Sequence, residues 1–248
     1  MQNPFSLEGK SILITGASSG IGKAVAQECA AAGATCILTA RNEERLSATL
    51  RSIVGEGHQY MLADLSKSDG IEAIVEQLPK LDGVVSCAGI VETKMLKFTE
   101  EEDLLRLFNT NAFSSIRLIR TLVQQKKLKK EASIVTISSI SGVRCGYLGG
   151  SIYGATKGAL EGFAKATALE LASQKIRVNT ITPGMVETSL LKDSEIDSEL
   201  LEADKQKYPL KRYGNPEEVG YCAVYLLSDA TKWMTGTSLL IDGGYTLN

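Results

Sequence analysis

Histidine is nearly missing from this chain: its 248 residues hold one, His58. A His-dependent triad or a His-rich metal site would have to be built around that residue. Its setting, Gly55-Glu56-Gly57-His58 ahead of an apolar run, reads instead as an exposed loop. Cysteine is sparse and odd in number, at positions 29, 36, 87, 145 and 222 with no C-x-x-C pair, which speaks against a zinc site and against a disulfide framework. Cys29, Cys36 and Cys87 lie in apolar runs and are expected to be small buried residues of a reducing, cytoplasmic compartment. No apolar run approaches the length of a membrane span, and Met1 to Ser6 lack both the basic and the apolar part of a signal peptide. Basic charge has no surplus either. With 27 Lys and Arg against 29 Asp and Glu the net charge is −2, so nucleic acid is not an expected partner and neither is a membrane. Only five prolines occur, and no proline-rich or serine-rich linker or internal repeat divides the chain. One domain over residues 1–248 is expected.

What is present is ordinary globular material, 44% apolar and 23% charged, arranged with a period. Short runs rich in Ile, Val and Leu recur at 11–15, 35–39, 59–63, 83–86, 133–137, 176–181 and 238–241, with helical patterns between most of them. That alternation predicts an α/β fold, a doubly wound parallel sheet of seven strands with helices on both faces and right-handed crossovers. Ligands of such a sheet bind beyond the carboxyl ends of its strands, near the point where strand order reverses. The unusual residues fall at those ends: Thr15-Gly16, Ala40-Arg41, Ala63-Asp64, Cys87-Ala88-Gly89, Ser138-Ser139 and Pro183-Gly184.

The first of these ends is "TGASSGIG", Thr15 to Gly22, where a strand turns into a helix. Bare backbone N–H groups and the positive end of a helix dipole converge at such a turn and suit a phosphate. Its spacing, G-x-x-x-G-x-G, is not the G-x-G-x-x-G dinucleotide fingerprint, and a turn that only packs helix on sheet would look the same. A second cluster is "SIYGATKGAL", in which Tyr153 and Lys157 stand four residues apart and share one helix face. An ammonium beside a phenol favours the phenolate and tunes it for acid–base work. Taken singly, the pair is equally compatible with an exposed helix contact.

Together, "TGASSGIG", "NTNAFSS", "IVTISS", "YGATK", "ITPGMVETS" and "LLIDGG" closely resemble the short-chain dehydrogenase/reductase family, in the family's order and over nearly the whole chain. The resemblance implies a single-domain Rossmann fold and an oxidoreductase that interconverts a ketone and a secondary alcohol. It implies that Tyr153 is the general acid, that Lys157 lowers the tyrosine pKa and holds the nicotinamide ribose, and that Ser139 hydrogen-bonds the substrate oxygen. Asn111 matches the asparagine that holds a water in a proton relay to Lys157. Cofactor contacts are implied for Gly16, Ser18, Ser19, Gly20, Ile21 and Gly22 in the turn, for Asp64, Leu65, Ala88 and Gly89, and for Tyr153, Lys157, Pro183, Gly184, Val186 and Thr188. Two departures stand out. The family's N-N-A-G is here Ser86-Cys87-Ala88-Gly89, so the support of two amide side chains must come from elsewhere. The gap from Ser139 to Tyr153 is one residue longer than is common, which makes Ser141 a rival for the catalytic serine.

Cofactor preference is read at the end of the second strand, where an acidic residue holds the ribose of NAD and an arginine accommodates the 2′-phosphate of NADP. "CILTARNEERL" has Ala40 followed by Arg41, so NADP(H) is expected, with NAD(H) as the alternative and Ser19 a reservation because many NADP-preferring relatives are basic there. Val143, Tyr147 and Leu148 in the 141–152 loop, and Leu190, Leu191 and Tyr208 in a substrate flap over about 185–210, suggest an apolar pocket with a cover. Lys126, Lys127, Lys129 and Lys130 in "QQKKLKKEAS", with Lys175, resemble the basic helix end of 3-oxoacyl carrier-protein reductases, so a 3-oxoacyl thioester on an acidic acyl carrier protein is one expected substrate. Sugar, steroid and small alicyclic ketones are the alternatives, and a non-catalytic nicotinamide-binding protein a further one. Relatives commonly form tetramers, and the alanines Ala159, Ala166 and Ala168 would permit close helix packing between subunits.

Overall fold

In a computed structural model of the protein, the structure describes residues 3–188, 191 and 197–247. Seven strands, β1 (Ser11–Thr15), β2 (Thr35–Ala40), β3 (Gln59–Leu62), β4 (Leu81–Ser86), β5 (Leu128–Ile137), β6 (Arg177–Pro183) and β7 (Ser238–Ile241), form one sheet in the order β3-β2-β1-β4-β5-β6-β7. Every pairing is parallel. Buried on both faces, such strands read as unbroken apolar runs, because successive side chains supply opposite cores. Ile12 and Ile14 face one core with Val25, Ala26 and Cys29 of α1 (Gly20–Ala31) and Val219, Ala223 and Leu226 of a late helix. Leu13 between them faces the other, with Ile71 and Ile74 of α3 (Ser68–Gln77), Leu118 and Leu122 of α5 (Ser114–Gln124), and Ala164 and Leu171 of α6 (Ser151–Leu171). Each fully buried Ile or Leu is worth about 1.5–3 kcal/mol, so both layers of helices are held chiefly by this area.

Helix ends follow local chemistry. In α2 (Glu43–Ser52) the Asn42 side chain accepts the Arg45 N–H at 2.8 Å. The α4 helix (Glu101–Phe108) starts with a reciprocal Glu100–Asp103 capping box, and the last of the eight α-helices among the described residues, α8 (Pro216–Leu227), with an Asn215–Glu218 box and Pro216 in its first turn. The short α7 (Ser198–Lys205) precedes it. Chain order reverses beside β1, which lies between β2 and β4, so the glycine turn after β1 opens at the switch point.

Three local expectations are corrected. His58 is half-buried rather than loosely exposed: its Nδ1 accepts the Cys36 N–H at 3.0 Å, which leaves Nε2 to donate to the Val54 carbonyl at 2.8 Å. The lysine-rich stretch does not end a helix. The α5 helix stops at Gln124, Lys126 turns the chain with φ +52°, and Lys129 and Lys130 already belong to β5. Ala168 faces the second core, whereas Ala155, Gly162 and Ala166 are the small residues that α6 exposes.

The lysines also occupy the amino ends of the strands. Lys127 donates to the Glu76 and Leu78 carbonyls at the end of α3, Lys129 pairs with Asp82 at 2.8 Å, and Lys175 pairs with Glu131 at 3.1 Å. Leu128 to Thr136 runs alongside only Leu81 to Ser86 because β5 bulges between Leu128 and Ser133, so at about 3.3 Å per residue the strand holds this cluster roughly 20 Å from the opposite edge, where Ser139 follows it.

Candidate active site

The glycine turn is a cradle with no room for side chains. A Cβ on Gly22 would lie 2.3 Å from the Gly16 carbonyl oxygen, and one on Gly16, whose φ is +64°, would lie 2.9 Å from the Ala88 backbone. Ser19 caps α1 in extended conformation without a side-chain bond to the helix, and the first turn carries no acidic residue. The first N–H groups of α1 therefore face outward with their positive field uncompensated, which fits a pyrophosphate. Thr39, buried one strand over beside Thr15, carries the single buried side-chain oxygen without a hydrogen-bond partner among the described residues. These features suit the dinucleotide that the strand order accommodates.

Two strands away, α6 brings Tyr153 and Lys157 to the ends of β4 and β5. Ser139 lies close enough to the Tyr153 hydroxyl to favour its phenolate form. Burial pushes that phenol up to about 12, Ser139 works against the rise, and nearby Tyr147 adds to it. Lys157 is buried, its ammonium donates to the Ile137 carbonyl at 2.9 Å, and it lies 5.7 Å from the Tyr153 ring centre. Burial depresses it to about 8. Burial is the largest cause of the Tyr153 shift, and the Lys157 ammonium is directed at the Ile137 carbonyl. Ser139 also accepts the Ser141 N–H at 3.1 Å, so Ser139 meets Tyr153 while Ser141 lies two residues further along the loop.

Asn111 sits in a π-helical turn, Asn109–Phe113, that joins α4 to α5. Fully buried, it grips Ile90 twice: Oδ1 accepts the Ile90 N–H at 2.7 Å and Nδ2 donates to the Ile90 carbonyl at 2.9 Å. Its Oδ1 and the Lys157 Nζ flank Gly89, at 3.3 and 3.6 Å from where a Cβ would stand. This answers the missing amides of Ser86-Cys87-Ala88-Gly89. Thr15 Oγ1 accepts the Cys87 and Ala88 N–H groups at 3.1 Å each, and the Ser86 hydroxyl meets that of Ser115 at 2.7 Å. Cys87 fills the second amide's place with a thiol that burial pushes up to about 12, a neutral spacer beside Lys157.

At the end of β2 Arg41 is exposed, follows Ala40 and lies close enough to Asp64 to help hold that carboxyl below its usual range, an effect due first to the Ser66 hydroxyl. Leu65 is buried in the second core, so only its backbone is free to face a ligand. Ser18, Ser19 and Ile21 are half-buried in the turn, and Ala88 is half-buried at the end of β4. Pro183 ends β6 and accepts the Ile140 N–H, and Gly184 donates to Ile241. Val186 bridges to Gly214, and Thr188 comes back over the turn, its Cγ2 3.3 Å from a Cβ built on Gly20. Of the apolar residues expected in the cover, Leu190 lies outside the described residues.

A cavity of about 430 Å³ adjoins the site, walled by Met95, Leu96, Tyr147 and Leu148 and by Ser151, Gly154 and Ala155 of α6. Ala155 is about 200° around the helix from Tyr153, so the loop's apolar residues shape a space beyond the tyrosine rather than over it. The Lys94 N–H donates to the Gly149 carbonyl at 2.9 Å and joins the cavity's two loops.

Three supporting residues carry no role in the sequence reading. Thr156 accepts from Asn111 at 3.2 Å and donates to the Tyr153 carbonyl at 2.7 Å, Ser138 donates to the Lys157 carbonyl at 3.0 Å, and Thr15 holds the β4 end. Thr15 and Ser138 stand at strand ends, the one signal that could have marked them; Thr156 is hidden inside the helix.

The sheet and the glycine cradle define a Rossmann-type nucleotide-binding protein with a Ser–Tyr–Lys cluster at the switch-point edge. Comparison with known proteins narrows this. Residues 16–246 match the family model described as enoyl-(acyl carrier protein) reductase. The chain is 37% identical to a human 3-oxoacyl-[acyl-carrier-protein] reductase, over 94% of this chain and 97% of that one, and 34% identical to zebrafish (Danio rerio) carbonyl reductase family member 4, over 95% and 97%. Among solved structures it resembles the Pseudomonas aeruginosa RhlG/NADP active-site complex, with TM-score 0.91, 31% identity and 99% and 100% coverage. A Sinorhizobium meliloti dehydrogenase/reductase matches with TM-score 0.90, 32% identity and 98% and 97% coverage. The chain belongs to the short-chain dehydrogenase/reductase family, enzymes that act on alcohol and carbonyl groups with a nicotinamide cofactor. Among the described residues no helix is long and apolar enough to cross a membrane, and no cluster of ligating side chains suits a metal ion.

Proposed function

We propose that this protein reduces a ketone to a secondary alcohol with NADPH, and that its best substrate is a 3-oxoacyl thioester. The observation that carries the reading is the cluster of half-buried Ser139 and Tyr153 with buried Lys157 at the same sheet edge as the glycine cradle. The cofactor supplies the hydride. Tyr153, protonated at neutral pH because burial holds it near 12, donates its proton to the carbonyl oxygen as negative charge grows there. Ser139 donates a hydrogen bond to the same oxygen, and Lys157 places a positive charge behind the tyrosine. Asn111 keeps the Gly89–Ile90 turn in place beside Lys157, where a water would complete a proton path.

Arg41 after Ala40, without an acidic side chain at the strand end, supports NADP(H) over NAD(H). The thioester reading rests on the names of relatives and not on the lysines, which lie at the far edge. An acyl carrier protein, if it delivers the substrate, docks at the carboxyl edge of the sheet. The chain works as a single nucleotide-binding domain with residues 185–210 as its cover. Exposed Leu105, Phe113 and Leu169, together with fully exposed Trp233, support a homotetramer. Five unpaired thiols support a reducing, cytoplasmic setting.

The test is cofactor oxidation by the purified protein with an acetoacetyl thioester, a crotonyl thioester and a panel of sugar, steroid and alicyclic ketones, with Tyr153→Phe as control. Turnover of the oxo-thioester with NADPH, lost in the variant while cofactor binding remains, is the expected result. Turnover of the crotonyl thioester alone would move the protein to enoyl reduction, and full turnover by Tyr153→Phe would overturn the mechanism.

A further inference from the structure

Two legs of chain, 185–188 and 208–214, are laced together by a short ladder. Glu187 donates to the Gly214 carbonyl at 2.8 Å and Gly214 to the Met185 carbonyl at 2.9 Å. One rung further the backbone acceptor is missing and a side chain replaces it: the Met185 N–H donates to the Tyr208 hydroxyl at 3.2 Å. Three residues after Met185, Thr188 lies against Gly20 of the phosphate turn. The position of Tyr208 thus fixes where the first leg starts toward the cradle.

Tyr208 is itself almost fully buried, edge-on to Tyr213 with ring centres 5.5 Å apart and tilted on Tyr245 at 4.8 Å. Tyr213 anchors α7, its hydroxyl within 2.9 Å of Asp204 Oδ2. Tyr245 belongs to a separate segment that Asp242 folds into a tight turn by accepting from the Gly244 N–H, the Thr246 N–H and the Thr246 hydroxyl. That turn presses on the same leg: Leu210 donates to the Gly243 carbonyl at 3.3 Å, and a Cβ on Gly244 would stand 2.8 Å from Pro209. Gly184 lies over Asp242 as well, 3.1 Å from its Cα by the same measure.

We propose that Tyr208 is a positioning residue for the cofactor: its hydroxyl sets the height of the 185–188 leg over the phosphate turn, and the 242–247 turn holds it there through Tyr245. The proposal rests on the nicotinamide reading above. Its substance is a chain of contacts from Tyr245 to Tyr208, to Met185, to Thr188 and to Gly20, none of which includes a reacting group. Removing a link therefore weakens cofactor binding and spares the chemical step.

The experiment compares the intact protein with Tyr208→Phe, which keeps the ring and loses the acceptor, and with Tyr245→Ala, which removes the backing ring. NADPH affinity is read by cofactor fluorescence, kcat at saturating NADPH by turnover, and the amides of 185–188 by hydrogen exchange. Losing one hydrogen bond predicts affinity weaker by about three- to tenfold in Tyr208→Phe, with kcat within about twofold and faster exchange at Met185. Tyr245→Ala is expected to show the same pattern; where it fails to fold, Tyr208→Phe decides alone. Unchanged affinity together with unchanged exchange overturns the proposal, as does a loss confined to kcat. If the parent protein binds neither nicotinamide cofactor, the functional reading fails, and with it the cofactor role of Tyr208.

Discussion

Replacing Lys157 by methionine should stabilise the fold while abolishing turnover. Burial holds the ammonium near pH 8 against an ordinary value of 10.5. At 1.36 kcal/mol per pH unit, that gap means the folded protein carries the charged form at a cost of about 3 kcal/mol at pH 7. Methionine keeps the unbranched length without the charge and forfeits the bond to the Ile137 carbonyl, about 1 kcal/mol. The variant should therefore be more stable by about 1–2 kcal/mol at pH 7. The pH dependence gives the sharper reading. Below pH 8 both states hold the proton and the cost is constant; between about 8 and 10.5 the folded state has released it and the unfolded state has not, so stability rises with pH. The parent should gain about 1 kcal/mol between pH 8 and 9 that the variant does not, and the difference between them should shrink accordingly. Urea unfolding followed by far-UV circular dichroism suits the measurement, since the single tryptophan, Trp233, is fully exposed and reports poorly on the core. A variant less stable than the parent at pH 7, or a gap that stays constant from pH 7 to 9.5, would refute the reasoning.

The remaining expectations concern the cofactor and the serine. Arg41→Ala should weaken NADPH binding by about tenfold or more and leave NADH nearly unchanged, as expected for a charge-assisted phosphate contact worth about 1.5–3 kcal/mol; equal losses in titrations of both cofactors would remove Arg41 from that role. Ser139→Ala should lower kcat by about a hundredfold, the scale of one lost donor to a developing oxyanion. Ser141→Ala should leave kcat within a few-fold of the parent, and the reverse ranking in steady-state assays would make Ser141 the catalytic serine.

Much of the fold was legible because period and punctuation agree. Ile12, Leu13 and Ile14 alternate between two cores yet read as one apolar run, the mark of a parallel strand buried on both faces. The strand starts were less legible. Leu128 to Glu131 joins β5 although three of its four residues are charged, because the register shifts between Leu81 and Gly83 and leaves the lysines at an exposed strand end. No local pattern announces such a shift, which depends on the neighbouring strand.

The site shows the same division between what is local and what is not. Gly16, Gly22, Tyr153 and Lys157 were legible because a turn without Cβ atoms and a pair four residues apart are facts of one segment. The direction of the Lys157 ammonium was not, since its partner is the carbonyl of Ile137, twenty residues away on another strand. Nor was the support for the turn after β4: Thr15, Ser115 and Asn111 come from three separate elements and together replace side chains that this sequence lacks. The lysine patch shows the limit of composition. Charge composition identifies a surface suited to an acidic partner, but only the pairing of β5 shows that this surface lies at the amino end of the strand, roughly 20 Å from Ser139. The Lys127 and Lys129 contacts give those cations structural work beside the end of α3 and the start of β4. The residues that choose the substrate must accordingly be sought among the loops on the Tyr153 edge, where Met95, Leu96, Tyr147 and Leu148 stand ready to pack against an apolar group.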